Sequence, residues 1–234
     1  MGFFGWSLDF DIELVMREFS KWKLILMIGL ALGQDKYLHT DKDNEETVMF
    51  RDYHDNGNLK EEGMKKTGLK VGTWTYWKED GKRYLTEDYI DGKKNGLQIS
   101  WYDNGKKNIE HGYKNNVKDG IFYAWYENGQ KKQTGKFSNG VKSGKMSYWY
   151  DDGEIWMQEN YDMGKKDGLM VGWYENGHKS IEQNWKNNKK EGPCVMWYGN
   201  GMKREEGVMK DSREVGRWVY YKANGEIDKV LEHD

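Results

Sequence analysis

The chain has 234 residues, and its 37 basic and 39 acidic side chains leave a formal charge of -2. No whole-molecule field draws in polyanions, which argues against DNA or RNA as a partner. A single cysteine, Cys194, excludes both a disulfide framework and a cysteine-based zinc site. With 12 Trp, 16 Tyr and 29 Gly, the apolar area is carried by rings, the composition of an aromatic-rich all-β protein with a wet surface.

Residues 1–33 stand apart from everything that follows. From Met16, the basic stretch MREFSKWK precedes the apolar run LILMIGLALG, and Ala31, Leu32 and Gly33 end small-x-small before Gln34. That is the layout of a secretory signal peptide over 16–33, and its apolar run of about ten residues is too short to span a bilayer. Asp9, Asp11 and Glu13 suit the start of a signal badly, so translation is expected to begin at Met16. The expectation is export to a periplasmic or extracellular location after cleavage near Gly33. The alternative is an uncleaved cytoplasmic protein with a short N-terminal helix.

Residues 34–47 read as a polar linker or cap. Asp41, Asp43, Asn44 and Glu45 lack the glycine and the closing glutamate of a calcium loop, so no metal is assigned there.

Residues 48–234 form a repeat array. Asn-Gly or Asp-Gly pairs place Gly57, Gly81, Gly105, Gly129, Gly153, Gly177, Gly201 and Gly225 at a constant step of 24 residues, and Gly72 to Gly216 keep the same step in a second series. A fixed period of this length outranks other readings of a sequence. An aromatic residue stands four before each turn glycine: Tyr53, Trp77, Trp101, Trp125, Trp149, Trp173, Trp197 and Tyr221. Tyr102, Tyr126, Tyr150, Tyr174 and Tyr198 follow five of them.

Asn-Gly between such runs is the strongest short hairpin signal and predicts a two-residue type I′ turn. Gly68, Gly92, Asn116, Gly140, Gly164, Asn188 and Ser212 mark the opposite reversal. Eight copies give about sixteen antiparallel strands in one elongated meander sheet, twisted or coiled.

With a two-residue turn, positions -3, -5, -7, +2, +4, +6 and +8 from the glycine share a packing face that collects the tyrosines, while the Trp series at -4 lies opposite, beside Glu62, Thr86, Glu110, Thr134, Gln158, Glu182 and Glu206 at +5. A bulge at the turn could exchange the faces of the flanks. Two roles compete for the Trp row: structural stacking of indoles on one another across repeats, or a binding face for an extended ligand.

The copy DGIFYAWYENGQKKQTGKFSNGVKSG, residues 119–144, resembles the variant MORN repeat, and the array is similar to the bacterial YwqK-type antitoxins. The resemblance implies stacked β-hairpins used for protein or phospholipid contact, with a toxin as the partner protein. The central copies depart from it in carrying Trp where the family usually has Tyr.

The five histidines fall in unrelated repeat phases, and no catalytic, cofactor or metal constellation emerges, so the protein is read as a monomeric, non-enzymatic scaffold. Its candidate partner-binding residues are Trp101, Trp125, Trp149, Trp173, Trp197, Tyr126, Tyr150 and Tyr174. Membrane headgroups or polysaccharide are the alternative ligand, for which the lysines between Gly129 and Gly144 offer a basic stripe.

Overall fold

The computed structural model describes residues 38–39 and 46–234. The expected signal peptide, N-terminal helix and cleavage point lie outside the described residues, as do Asp41, Asp43, Asn44 and Glu45. What is described is all β. Sixteen strands of six to nine residues run from Thr47–Tyr53 to Ile227–His233, each pairing antiparallel with the next along the sequence. Leu38–His39 adds a short cap that pairs with Val48 and Thr47, so part of the polar stretch before the array seals its first strand. Among the described residues the sheet stays open, and substantial contacts run only between elements adjacent in the sheet.

The two ends of each hairpin use different turns. At the Asn-Gly end, Gly129 N donates to Tyr126 O at 2.8 Å and Tyr126 N to Gln130 O at 2.9 Å. Gly129 has φ 93°, whereas Asn128 is absent from the positive-φ residues. This is a three-residue loop closed by a glycine bulge, and it corrects the expected type I′ turn, which needs positive φ at both central residues. The bulge returns the extra residue at once: Trp125 faces Lys131, while Ala124 already faces Gln133. Beyond it the register equals that of a two-residue loop, so the flanks keep the expected faces from +4 onward, while the residue at +2, expected on the packing face, pairs with the Trp at -4 and joins the indole face.

The type I′ turns sit at the other end. Lys114 pairs with Val117 across Asn115 and Asn116, whose φ values are 49° and 66°. The second glycine series lies inside the strands that follow. At Gly120, φ 98°, the ladder slips: His111 faces Phe122 but Tyr113 faces Lys118, so one residue opposes three. The extra residues form a bulge that only glycine enters without strain, and bulges of this kind raise the local twist.

Both ends tie each hairpin to its successor. At the type I′ end the link is backbone: Asn116 N donates to Lys94 O and Gly140 N to Lys118 O. At the Asn-Gly end it is made by side chains. Tyr102, Tyr126, Tyr150, Tyr174 and Tyr198 donate their hydroxyls to the carbonyls of Trp125, Trp149, Trp173, Trp197 and Tyr221, at 2.7 to 2.9 Å. Asn128 Nδ2 reaches Asp151 O at 2.6 Å, and Asn56, Asn104, Asn176 and Asn200 repeat the bond.

The core runs as a ribbon along the expected packing face. Trp74, Phe122, Met146, Met170, Cys194 and Trp218, all at -7, are buried. One cluster joins Phe122, Ala124 and Met146 with Phe137 and Tyr161, and another joins Cys194, Met209 and Trp218.

Candidate functional site

The Trp row lies on the opposite face, as the register requires. Trp77, Trp101, Trp125, Trp149, Trp173 and Trp197 are all half-buried. The residue two past the preceding turn glycine reaches the indole of the next copy: Arg83 lies 3.9 Å from the centroid of the Trp101 ring, and Lys107 and Lys179 each lie 5.7 Å from Trp125 and Trp197. The same lysines pair with carboxylates at +5, Lys107 with Glu110 and Lys179 with Glu182, both at 2.7 Å. At Trp125 and Trp197 the indole thus lies under a lysine whose far side a carboxylate holds.

Among the described residues no indole of the row stacks on its neighbour in the row, which corrects the stacking alternative. Equivalent strands of successive hairpins stand roughly 10 Å apart, beyond the reach of ring stacking. Trp125 stacks instead on Tyr123, two residues earlier on its own strand, at 5.7 Å.

Strand alternation extends this face beyond the indoles. Ile121, Tyr123 and Trp125 share it on one strand, Leu97, Ile99 and Trp101 on another, and Leu169, Val171 and Trp173 on a third. Ile121, Leu97 and Leu169 are exposed, at 56%, 45% and 38%. Sequence reasoning missed these aliphatics, although their spacing of two residues from one another and from the Trp was there to be read. It also missed Trp156, which is 45% exposed and packs edge-on against Tyr148.

Tyr126, Tyr150 and Tyr174 belong to the turn edge, separate from the indole face. Their hydroxyls are committed to the next hairpin, and Tyr150 and Tyr174 line a shallow depression with Glu175, Asn176 and Gly199. Burial pushes the Tyr126 and Tyr150 hydroxyls above their ordinary pKa, so they remain donors.

The packing face carries a polar line that the sequence did not announce. Lys70, Lys94, Lys118, Lys142, Lys166 and Lys190 recur at the 24-residue step. Lys94 pairs with buried Glu87, and Lys166 with buried Glu159. Tyr76 and Tyr89 also donate to Glu87, and Tyr148 and Tyr161 to Glu159. Burial raises the Glu87 carboxyl, but Lys94, Tyr89 and Gln98 together draw it below its ordinary value.

His111, stacked on Phe122 at 4.5 Å, is pushed down to about 4 by burial and by Lys118. Burial pushes the Cys194 thiol up to about 11, which keeps it protonated and a poor nucleophile. Among the described residues no cluster of His, Cys, Asp and Glu could hold a metal ion.

The model of the MORN repeat variant matches four tandem segments, residues 94–115, 118–139, 142–163 and 166–187. Each is one whole hairpin, from the lysine two residues past a type I′ turn to the first residue of the next such turn. These four segments are similar to the MORN repeat variant, and the same hairpin geometry continues on both sides of them. No curated protein matches the sequence. Among solved structures, the crystal structure of TcdB2-TccC3 without hypervariable C-terminal region is similar to 75% of this chain and 13% of its own, at 11% identity and a TM-score of 0.17. The 234 residues thus span only a small part of that protein's length.

Proposed function

We propose that this protein is a non-catalytic scaffold that binds a partner protein along its indole face, with Trp101, Trp125, Trp149, Trp173 and Trp197 as anchors. One observation carries the reading: exposed Leu97, Ile121 and Leu169 continue the line of the indoles on the same face, giving apolar area that the array itself leaves uncovered. Trp and Tyr dominate interface hot spots, and here the cations over the rings supply a polar rim. The YwqK-type resemblance makes a toxin domain the first partner to test, with the protein in the antitoxin's role.

A second reading, binding of anionic headgroups or acidic polysaccharide in an exported protein, draws on the lysine series of the packing face. Glu61, Glu87 and Glu159 already neutralise Lys70, Lys94 and Lys166, which favours the protein reading. The deciding experiment compares wild type with an Ile121→Asp, Leu169→Asp double variant, both side chains being exposed. Loss of one co-purifying protein at unchanged melting temperature supports the proposal. Retention of both proteins on anionic vesicles, reversed by salt, supports the second reading and sinks the first.

A further inference from the structure

Eight Asn-Gly pairs occur in the repeat array, and the fold treats them unequally. Asn95 lies half-buried within a strand, beside the bulge at Gly96, and the other seven lie in turns. Of these seven, Asn56, Asn104, Asn128, Asn176 and Asn200 are each held at both ends of the amide group. Their Nδ2 donates to a carbonyl of the next hairpin at 2.6 to 2.9 Å. Their Oδ1 accepts the backbone N–H two residues on at 2.8 to 3.2 Å. Asn224 keeps only the second bond, from Glu226 N at 3.0 Å. Asn139 has neither. It is the first residue of a type I′ turn, with φ 49°, it is exposed, and its backbone N–H donates to Asp119 Oδ2 while its amide group makes no such bond.

We propose that among these turns Asn139, and after it Asn224, is a site of spontaneous deamidation, whereas the five laterally bonded asparagines are protected by the fold. The glycine that follows each asparagine leaves its peptide nitrogen unhindered. In the reaction this nitrogen loses its proton and attacks the Asn Cγ. The new bond closes a five-membered succinimide as the bond from Cγ to Nδ2 breaks, and Nδ2 leaves as ammonia. Water then opens either carbonyl of the ring, giving aspartate or isoaspartate.

Attack requires the side chain to rotate so that Cγ meets the following nitrogen. That nitrogen is hydrogen-bonded in both kinds of turn, Gly129 N to Tyr126 O and Gly140 N to Lys118 O, so the difference between them lies in the amide group. Two hydrogen bonds oppose its rotation in the five protected turns, and none does at Asn139. Losing two such bonds on the way to the transition state corresponds to a slowing of roughly tenfold or more.

The products differ in consequence. Asp80 and Asp152 already occupy the ladder position as acids, so an aspartate at 224 reproduces a turn the fold tolerates. Isoaspartate at 139 adds a backbone atom to a two-residue loop whose Gly140 N–H ties this hairpin to Lys118 O, and so loosens that joint.

The test incubates the full-length protein at mildly alkaline pH, native and in parallel in concentrated urea, and follows conversion of each turn asparagine by peptide mass mapping. In urea all seven should convert at similar rates set by the shared dipeptide. In the folded protein Asn139 should convert fastest, Asn224 more slowly, and the five ladder sites roughly tenfold or more below Asn139. The proposal is overturned if folding slows Asn139 as much as Asn128, or if the ladder sites convert as fast as Asn139.

Discussion

At the sixth residue past the turn glycine, two kinds of hairpin solve one packing problem in opposite ways. Gly63 and Gly207 leave a floor on which a neighbouring ring lies flat: a Cβ would meet the Trp74 ring at 2.4 Å at the first and the Trp218 ring at 2.3 Å at the second. Gly135 does the same for Met146. At the equivalent place in the hairpins between, Glu87, His111, Glu159 and Gln183 are buried. The glycine type fills the space from the next strand, and the polar type fills it from within, with Tyr and Lys partners at Glu87 and Glu159. A sheet one layer thick can bury a charge if its own neighbours close over it.

Removing the ring should cost most. Trp218→Ala is expected to destabilise by about 3–5 kcal/mol, because a glycine floor offers nothing to refill the space. Urea unfolding should show it, and a loss under about 1 kcal/mol would mean that the two hairpin types do not differ as described. Breaking the polar type comes next. Glu87→Ala leaves Lys94, Tyr76 and Tyr89 without their acceptor, for an expected loss of about 2–3 kcal/mol, with Glu87→Gln milder in the same urea series.

The smallest effect is the pH response of His111, whose folded pKa of about 4 lies below the ordinary histidine value. Between those two values the unfolded state binds the proton and the folded state does not. Stability is therefore complete above the unfolded value and falls as pH drops toward about 4. Discounted for screening by the solvent close to a single-layer sheet, the loss should be about 1–2 kcal/mol. His111→Gln, which installs the residue found at position 183, should flatten this part of the profile in parallel melts, and an unchanged slope would remove His111 as its source.

The array itself was legible because a turn glycine returns every 24 residues and each copy keeps its aromatic at -4. The faces were legible as well, for the less obvious reason that the bulge beside Gly129 restores the register of the shorter loop. The turn type was not: Asn-Gly serves both geometries, and only the φ of Asn128 separates them.

The alternation of glycine and polar hairpins was hidden because the eye averages over copies. Gly63, Gly135 and Gly207 are 72 residues apart, as are Asp80 and Asp152, and Glu87 and Glu159. Three hairpins thus make a higher-order unit, visible only when copies are compared at triple spacing. At the candidate site, the tryptophans were legible as a series. The aliphatics beyond them were masked because Lys145 and Ser147 interrupt the pattern beside Trp149.

Because substantial contacts run only between elements adjacent in the sheet, the described residues hold no tie between distant parts of the sheet. Tugged by its first and last strands, the sheet would open like a zip, one rung of hydrogen bonds after another, at a low and nearly steady tension. It would yield length gradually where a closed barrel would snap.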